Sequence, residues 1–105
     1  MGKESRLQKA VLDYLTWFSK SNKIYFFRSG SGHIQTQSGH YFKTGRPGVQ
    51  DITCCYNSTF IALEIKTATG RQSALQVEAE KEIQAAGGEY HIIRSLENIK
   101  RIFPL

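Results

Sequence analysis

A chain of 105 residues with 40% hydrophobic and 11% aromatic side chains can bury one core but hardly two, so residues 1–105 read as a single domain. No stretch approaches the roughly 20 consecutive apolar residues of a membrane helix, and Met1-Gly2-Lys3-Glu4-Ser5-Arg6 lacks a signal core and cleavage site; the expectation is a cytoplasmic protein with no membrane partner. The formal charge of +5 and pI near 9.4 favour a polyanionic partner, because each phosphate neutralised by Lys or Arg releases counterions, although the basic residues are spread along the chain and not gathered in one block.

From Glu4 to Lys20 the apolar residues Leu7, Val11, Tyr14, Leu15 and Phe18 recur at helical spacing, and Trp17 lies near the same face, where a core role is the default. Ser21-Asn22-Lys23 ends this helix, and Ile24-Tyr25-Phe26-Phe27 supplies the aromatic and β-branched run of a buried strand. The glycine-rich stretch from Ser29 to Gly48 is irregular, with short strands expected around Ile34 and from Tyr41 to Lys43. Arg28-Ser29-Gly30-Ser31-Gly32 lacks the Gly-Lys-Ser/Thr ending of a phosphate loop and is read as an ordinary loop. Two strands, Gln50 to Tyr56 and Thr59 to Lys66, flank Asn57-Ser58 as a hairpin. A second helix runs from Ser73 to about Ala86 and stops at Gly87-Gly88, a strand covers Glu89 to Arg94, and Ser95 caps a terminal helix through Phe103. The order implies an α/β fold around a mixed sheet. Adjacent Cys54 and Cys55 point to opposite faces of a strand, which argues against a disulfide between them. His33, His40 and His91 have no ligand or dyad spacing and are read as structural or substrate-facing.

The hairpin makes a geometric prediction. If Asn57 and Ser58 alone form the turn, Tyr56 faces Thr59 and Asp51 falls opposite Glu64, with Cβ atoms ~4.5 to 5.5 Å apart on one sheet face. Two carboxylates that close repel unless a cation or a proton lies between them. The same register collects Ile52, Cys54, Tyr56, Ile61, Leu63 and Ile65 on one apolar face and sets Asp51, Thr53, Ala62, Glu64 and Lys66 on the other. Hard oxygen ligands suit Mg²⁺ or Mn²⁺, which activate water for attack on a phosphodiester, and Lys66 beside Glu64 can orient or deprotonate that water or offset developing charge. Spacing alone leaves a second reading level with this one: Asp51 caps a turn, and Glu64 with Lys66 is a solvated ion pair.

Four landmarks in order tip the balance: Gly45-Arg46-Pro47-Gly48-Val49-Gln50-Asp51, Glu64-Ile65-Lys66, Ser73-Ala74-Leu75-Gln76 and Gly87-Gly88-Glu89-Tyr90. Over most of its length the chain resembles the VRR-NUC family of the PD-(D/E)xK nuclease superfamily. The resemblance implies a restriction-endonuclease-like α-β-β-β-α-β core with a mixed central sheet flanked by helices. It implies a Mg²⁺- or Mn²⁺-dependent endonuclease acting on DNA, with branched, flap or junction substrates and pairing into a homodimer. By the same resemblance Asp51 and Glu64 hold the metal, the Ile65 carbonyl completes its shell, Lys66 assists the water and Gln76 acts at the site. Glu4 matches an acidic position that adds to metal binding, with favourable charge in a helix first turn as the plainer reading. Gln76 is also the partner of Ser73 in a capping box, and a side chain folded onto its own cap is not expected to reach the reaction centre. Arg28, Tyr41, Lys43, Arg46 and Arg71 are the expected contacts to the nucleic-acid backbone. Gln50 stands where the family usually has Pro, which puts the local entry into the strand in doubt. The competing functions are a non-catalytic nucleic-acid-binding domain that keeps the nuclease fold and, more remotely, a protein-binding domain.

Overall fold

The computed structural model of the chain describes residues 2–30, 33–35, 41–43 and 46–105, with 33–35 and 41–43 by their backbone only. The elements follow in the order α1 (Lys3–Phe18), β1 (Ile24–Arg28), β2 (His33–Gln35), β3 (Tyr41–Lys43), β4 (Ile52–Tyr56), β5 (Thr59–Ile65), α2 (Ala74–Ala85), β6 (Glu89–Ile93) and α3 (Leu96–Ile102). Four strands make one sheet in the order β1-β4-β5-β6, while β2 and β3 pair as a separate two-stranded ribbon. β1 and β5 each run antiparallel to β4, and β5 and β6 run parallel, with α2 as the crossover that parallel neighbours require. This is the expected α/β arrangement of a mixed central sheet flanked by helices.

Alternation along the strands gives the sheet two unlike faces. Ile52 and Cys54 of β4 and Ile61, Leu63 and Ile65 of β5 are buried on the inner face. They form one core with Val11, Leu15 and Phe18 of α1, and with Ile99 and Phe103 of α3 and its end. Phe18 packs its ring against Tyr56 and Phe103 at centroid distances of 5.6 and 5.5 Å, in the edge-on geometry that ring quadrupoles favour. Thus the apolar stripe read on α1 is the stripe it buries. Trp17 departs from expectation: it is 53% exposed, stacked edge-on against Tyr14, because the buried position belongs to its neighbour Phe18. The helix also ends at Phe18, two residues early, where Asn22 Nδ2 donates to the Phe18 carbonyl.

α2 covers part of the outer face. The expected capping box starts it: Ser73 Oγ accepts from Gln76 N at 3.2 Å and Gln76 Oε1 accepts from Ser73 N at 2.8 Å. Gly87, at φ 95°, ends it in the left-handed turn a side chain would strain. Under this helix every residue from Ile61 to Ile65 is buried, so the face that carries Ala62 and Glu64 is closed along that part of β5. Gly48 fixes how the preceding loop meets α2. It adopts φ 79°, and a Cβ there would lie 2.7 Å from the Leu75 backbone. Replacing Gly48 with Ala should therefore cost about 1–3 kcal/mol through strain and clash, read as a drop of several degrees in the thermal midpoint; an unchanged midpoint would show that the loop is free to move off α2.

Candidate active site

The hairpin register is the one the two-residue turn dictates. Tyr56 pairs with Thr59 and Ile52 with Leu63, and both Asn57 and Ser58 adopt positive φ, as a twisted two-residue turn requires. One step further the pairing changes character. Asp51 does not continue the ladder: its carbonyl accepts from the Ser29 and Gly30 amides at 2.8 and 3.2 Å, and its carboxylate Oδ2 accepts from the Ile65 amide at 2.8 Å. A side chain has taken the place of the backbone acceptor that Ile65 would find in a longer strand. The expected strands from Gln50 and to Lys66 are correspondingly shorter, beginning at Ile52 and ending at Ile65.

The same exchange pins the acid. Lys66 N donates to the Ile93 carbonyl of β6 at 3.0 Å, so the backbone groups of Ile65, one residue earlier, point the other way. Its N–H holds Asp51, and its carbonyl is turned to that side too. Gln50 is buried and donates from Nε2 to Thr53 Oγ1 at 2.6 Å, while Ser29 Oγ bonds the Gln50 carbonyl at 3.0 Å. These contacts tie down the chain's entry into β4.

Glu64 follows from the register and from α2. It lies on the outer face, 2% exposed, where its Oε2 accepts from Gln76 Nε2 at 2.9 Å and stands 3.7 Å from Lys66 Nζ. Gln76 thus does both things that looked incompatible in the sequence: Oε1 closes the helix cap and Nε2 reaches Glu64, because the two ends of one amide point opposite ways. Glu64 Oε1 is buried, and no donor reaches it. Burial, then the Asp51 carboxylate, which repels a second charge and accepts a hydrogen bond from the protonated acid, push the Glu64 carboxyl up to about 8. Lys66 pulls the other way and Glu4 adds a smaller push upward.

The remaining expected residues are placed unequally. Glu4 is exposed in the first turn of α1. Its charge reaches Glu64 as a small upward push on that carboxyl, and among the described residues no three His, Cys, Asp or Glu side chains gather into one cluster. Arg28 lines a cleft of about 680 Å³ with Asp51, Gln76, Gln8, Gly30 and the Pro47–Val49 loop. Arg46 is ion-paired with Glu82 of α2, and Arg71 is exposed on the loop before α2. The side chains of Tyr41 and Lys43, and all of His40, lie outside the described residues, as does the His33 side chain. His91 is bonded to Glu89 at 2.9 Å, away from the acid pair.

Two residues that the sequence did not single out belong to this site. Gln8 stands one helical turn beyond Glu4 and brings α1 to the cleft. Arg94 donates to the Thr67 and Gly70 carbonyls, both at 2.7 Å, and so ties down the chain directly after Lys66. The i, i+4 spacing from Glu4 was a usable signal for Gln8; nothing local marks Arg94.

Metal-free protein should show the Glu64 burden as a pH dependence. The folded carboxyl keeps its proton up to about pH 8, whereas an unfolded one releases it near the model-peptide value of 4.5. Stability from this group is therefore full below about 4.5 and is lost as pH rises to 8, by at most about 1.4 kcal/mol per pH unit. Denaturant midpoints in chelator at pH 5, 6.5 and 8 should fall for the native chain and stay flat for Glu64→Gln; parallel curves would contradict the assignment.

No protein-family model matches the chain, and no curated protein matches it in sequence. Among solved structures, a VRR_NUC domain superposes with a TM-score of 0.69 at 13% identity, over 97% of this chain and 95% of that one. The small subunit of the heterodimeric restriction endonuclease R.BspD6I matches at TM-score 0.40 and 19% identity, over 80% of this chain and 56% of that one. The chain has the fold of a VRR_NUC domain.

Proposed function

We propose that the protein is a Mg²⁺- or Mn²⁺-dependent nuclease that hydrolyses DNA phosphodiester bonds, with Asp51, Glu64 and Lys66 as its reaction centre. The observation that carries this reading is the unpartnered Glu64 Oε1, buried beside a second carboxylate and a lysine on a nuclease-like fold. Burying a carboxylate without a partner is costly, and a divalent cation repays that cost in full where a solvated ion pair would not. Two carboxylates and a backbone carbonyl from Ile65 are the kind of oxygen set that Mg²⁺ accepts while keeping open positions for phosphate. A cation bound there supplies a Lewis acid and a more acidic water.

The chain's own groups do the rest. The Ile65 amide holds the Asp51 carboxylate still, and Gln76 Nε2 turns one Glu64 oxygen outward to α2 so that the other faces Asp51. Lys66, 13% exposed, sets a positive charge next to Glu64, where it orients water and offsets the charge that builds on a phosphorane. Arg28 at the cleft wall positions the phosphate backbone, and exposed Arg71 extends the cationic track. Glu4 tunes the pair from α1.

A panel of single-stranded, duplex, flap and four-way-junction DNA should be cut in Mg²⁺ or Mn²⁺ and left intact in chelator. Asp51→Asn and Lys66→Ala should each slow cutting at least about a hundredfold with unchanged far-UV circular dichroism. Equal activity in those variants would sink the reading, and salt-sensitive binding without turnover on any substrate would point to the non-catalytic alternative.

A further inference from the structure

The outer face of the sheet is only half covered. α2 lies over the β5–β6 side, and among the described residues no helix lies over the outer β1–β4 side. Register places Tyr25, Cys55 and Phe60 in one row across β1, β4 and β5, and Phe27, Thr53 and Ala62 in the next. Asp51 and Glu64 belong to this same face one pleat further on. In the open half Tyr25 is 69% exposed, Phe27 45% and Phe60 45%, and Cys55 is exposed beside them. The Tyr25 and Phe27 rings lie 5.8 Å apart. An edge strand with two bare aromatic rings is a liability that proteins normally cover or charge.

Charge identifies the occupant. From Tyr14 to Leu63 the only Asp or Glu is Asp51, while Lys20, Lys23, Arg28, Lys43 and Arg46 fall in the same stretch. Lys23 shares the Tyr25–Phe27 side of β1 by strand alternation and is exposed, and exposed Arg28 follows at the strand end, in the cleft wall. Glu82, which borders Phe60, is neutralised by Arg46. Exposed rings flanked by Lys23 and Arg28, with Glu82 paired and the Asp51–Glu64 pair as the acids at the far end of the face, are what single-stranded nucleic acid selects, since every base has a face to stack and every linkage a charge to place. A second copy of the chain fits less well. A two-fold contact would set Lys23 against its own like charge, and the exposed patch is on the order of 300 Å², under half of the ~800 Å² a stable partner buries.

Resting on the nucleic-acid reading of the cleft, we propose that Tyr25 and Phe27 form a base-stacking platform that holds unpaired nucleotides next to the reaction centre, so that the preferred ligand carries a single-stranded segment.

The test is anisotropy in chelator, with labelled oligo(dT) of about 20 nucleotides and a duplex of equal length. The double variant Tyr25→Ser, Phe27→Ser should weaken oligo(dT) binding by roughly 5- to 150-fold for each stacked base and shift duplex binding less than about twofold. An unchanged oligo(dT) Kd, or equal loss on both ligands, would overturn the platform while leaving the nuclease reading standing. Native protein that binds neither ligand would overturn the nucleic-acid reading itself. Conversion of a native dimer to a monomer by the double variant would reassign the face to self-association. Should the double variant misfold, Tyr25→Trp in a Trp17→Phe background gives a second readout: its fluorescence should be quenched by oligo(dT) and not by duplex, and the absence of quenching overturns the proposal.

Discussion

Glu64 is a carboxylate almost wholly removed from water, and a single amide hydrogen bond does not meet its needs. Much of the surrounding architecture exists to keep it there. β5 must be an interior strand, so that Glu64 is flanked on both sides, by β4 in one direction and β6 in the other. α2 must start where its first turn can lend a side chain to the sheet, and the capping box sets that start. Gly48 lets the preceding loop press against Leu75 at the same helix end. Arg94 holds the connecting turn, which leaves Lys66 little freedom to swing away from the acid. An acid buried this way destabilises the fold as it ionises.

The two faces of the sheet divide the labour. The inner face, packed on α1 and α3, holds the apolar core and supplies the folding energy. The outer face carries the Asp51–Glu64 pair at one end, a helix over one half and bare aromatics over the other. Because strand alternation places Tyr25 and Phe27 on the side of Asp51 and Glu64, a ligand lying on the open half reaches the acid pair without crossing the sheet. On the proposed reading, the fold joins a stacking surface for unpaired nucleotides to a centre for phosphate chemistry.

Much of this was legible in the sequence because it depended on local rules. Asn57-Ser58 dictated the turn, the turn dictated the register, and period-two alternation then placed Glu64 on the face opposite to Leu63 and Ile65. The α1 stripe, the Ser73–Gln76 cap and the Gly87 stop were equally local. What stayed hidden depended on contacts between distant segments. Asp51 leaves the ladder because loop residues Ser29 and Gly30 claim its carbonyl, which no hairpin count reveals. For Gln76 the sequence offers both a cap and a site role, and only the position of β5 under α2 shows how one amide reaches Ser73 and Glu64 together. Trp17 was assigned to the core on helical phase, but Phe18 beside it fills the space between Tyr56 and Phe103. Arg94 carries no sequence signal at all, because its partners are backbone carbonyls.

The central claim is that the Asp51–Glu64 pair is built for one positive charge, held by a proton until a divalent cation displaces it. Calorimetric titration of Mn²⁺ into the protein at pH 7, repeated in buffers of different ionisation enthalpy, counts the protons released on binding. The account predicts one site, lost in Asp51→Asn, that releases about one proton per ion. Binding without proton release, or undiminished binding in Asp51→Asn, would contradict it.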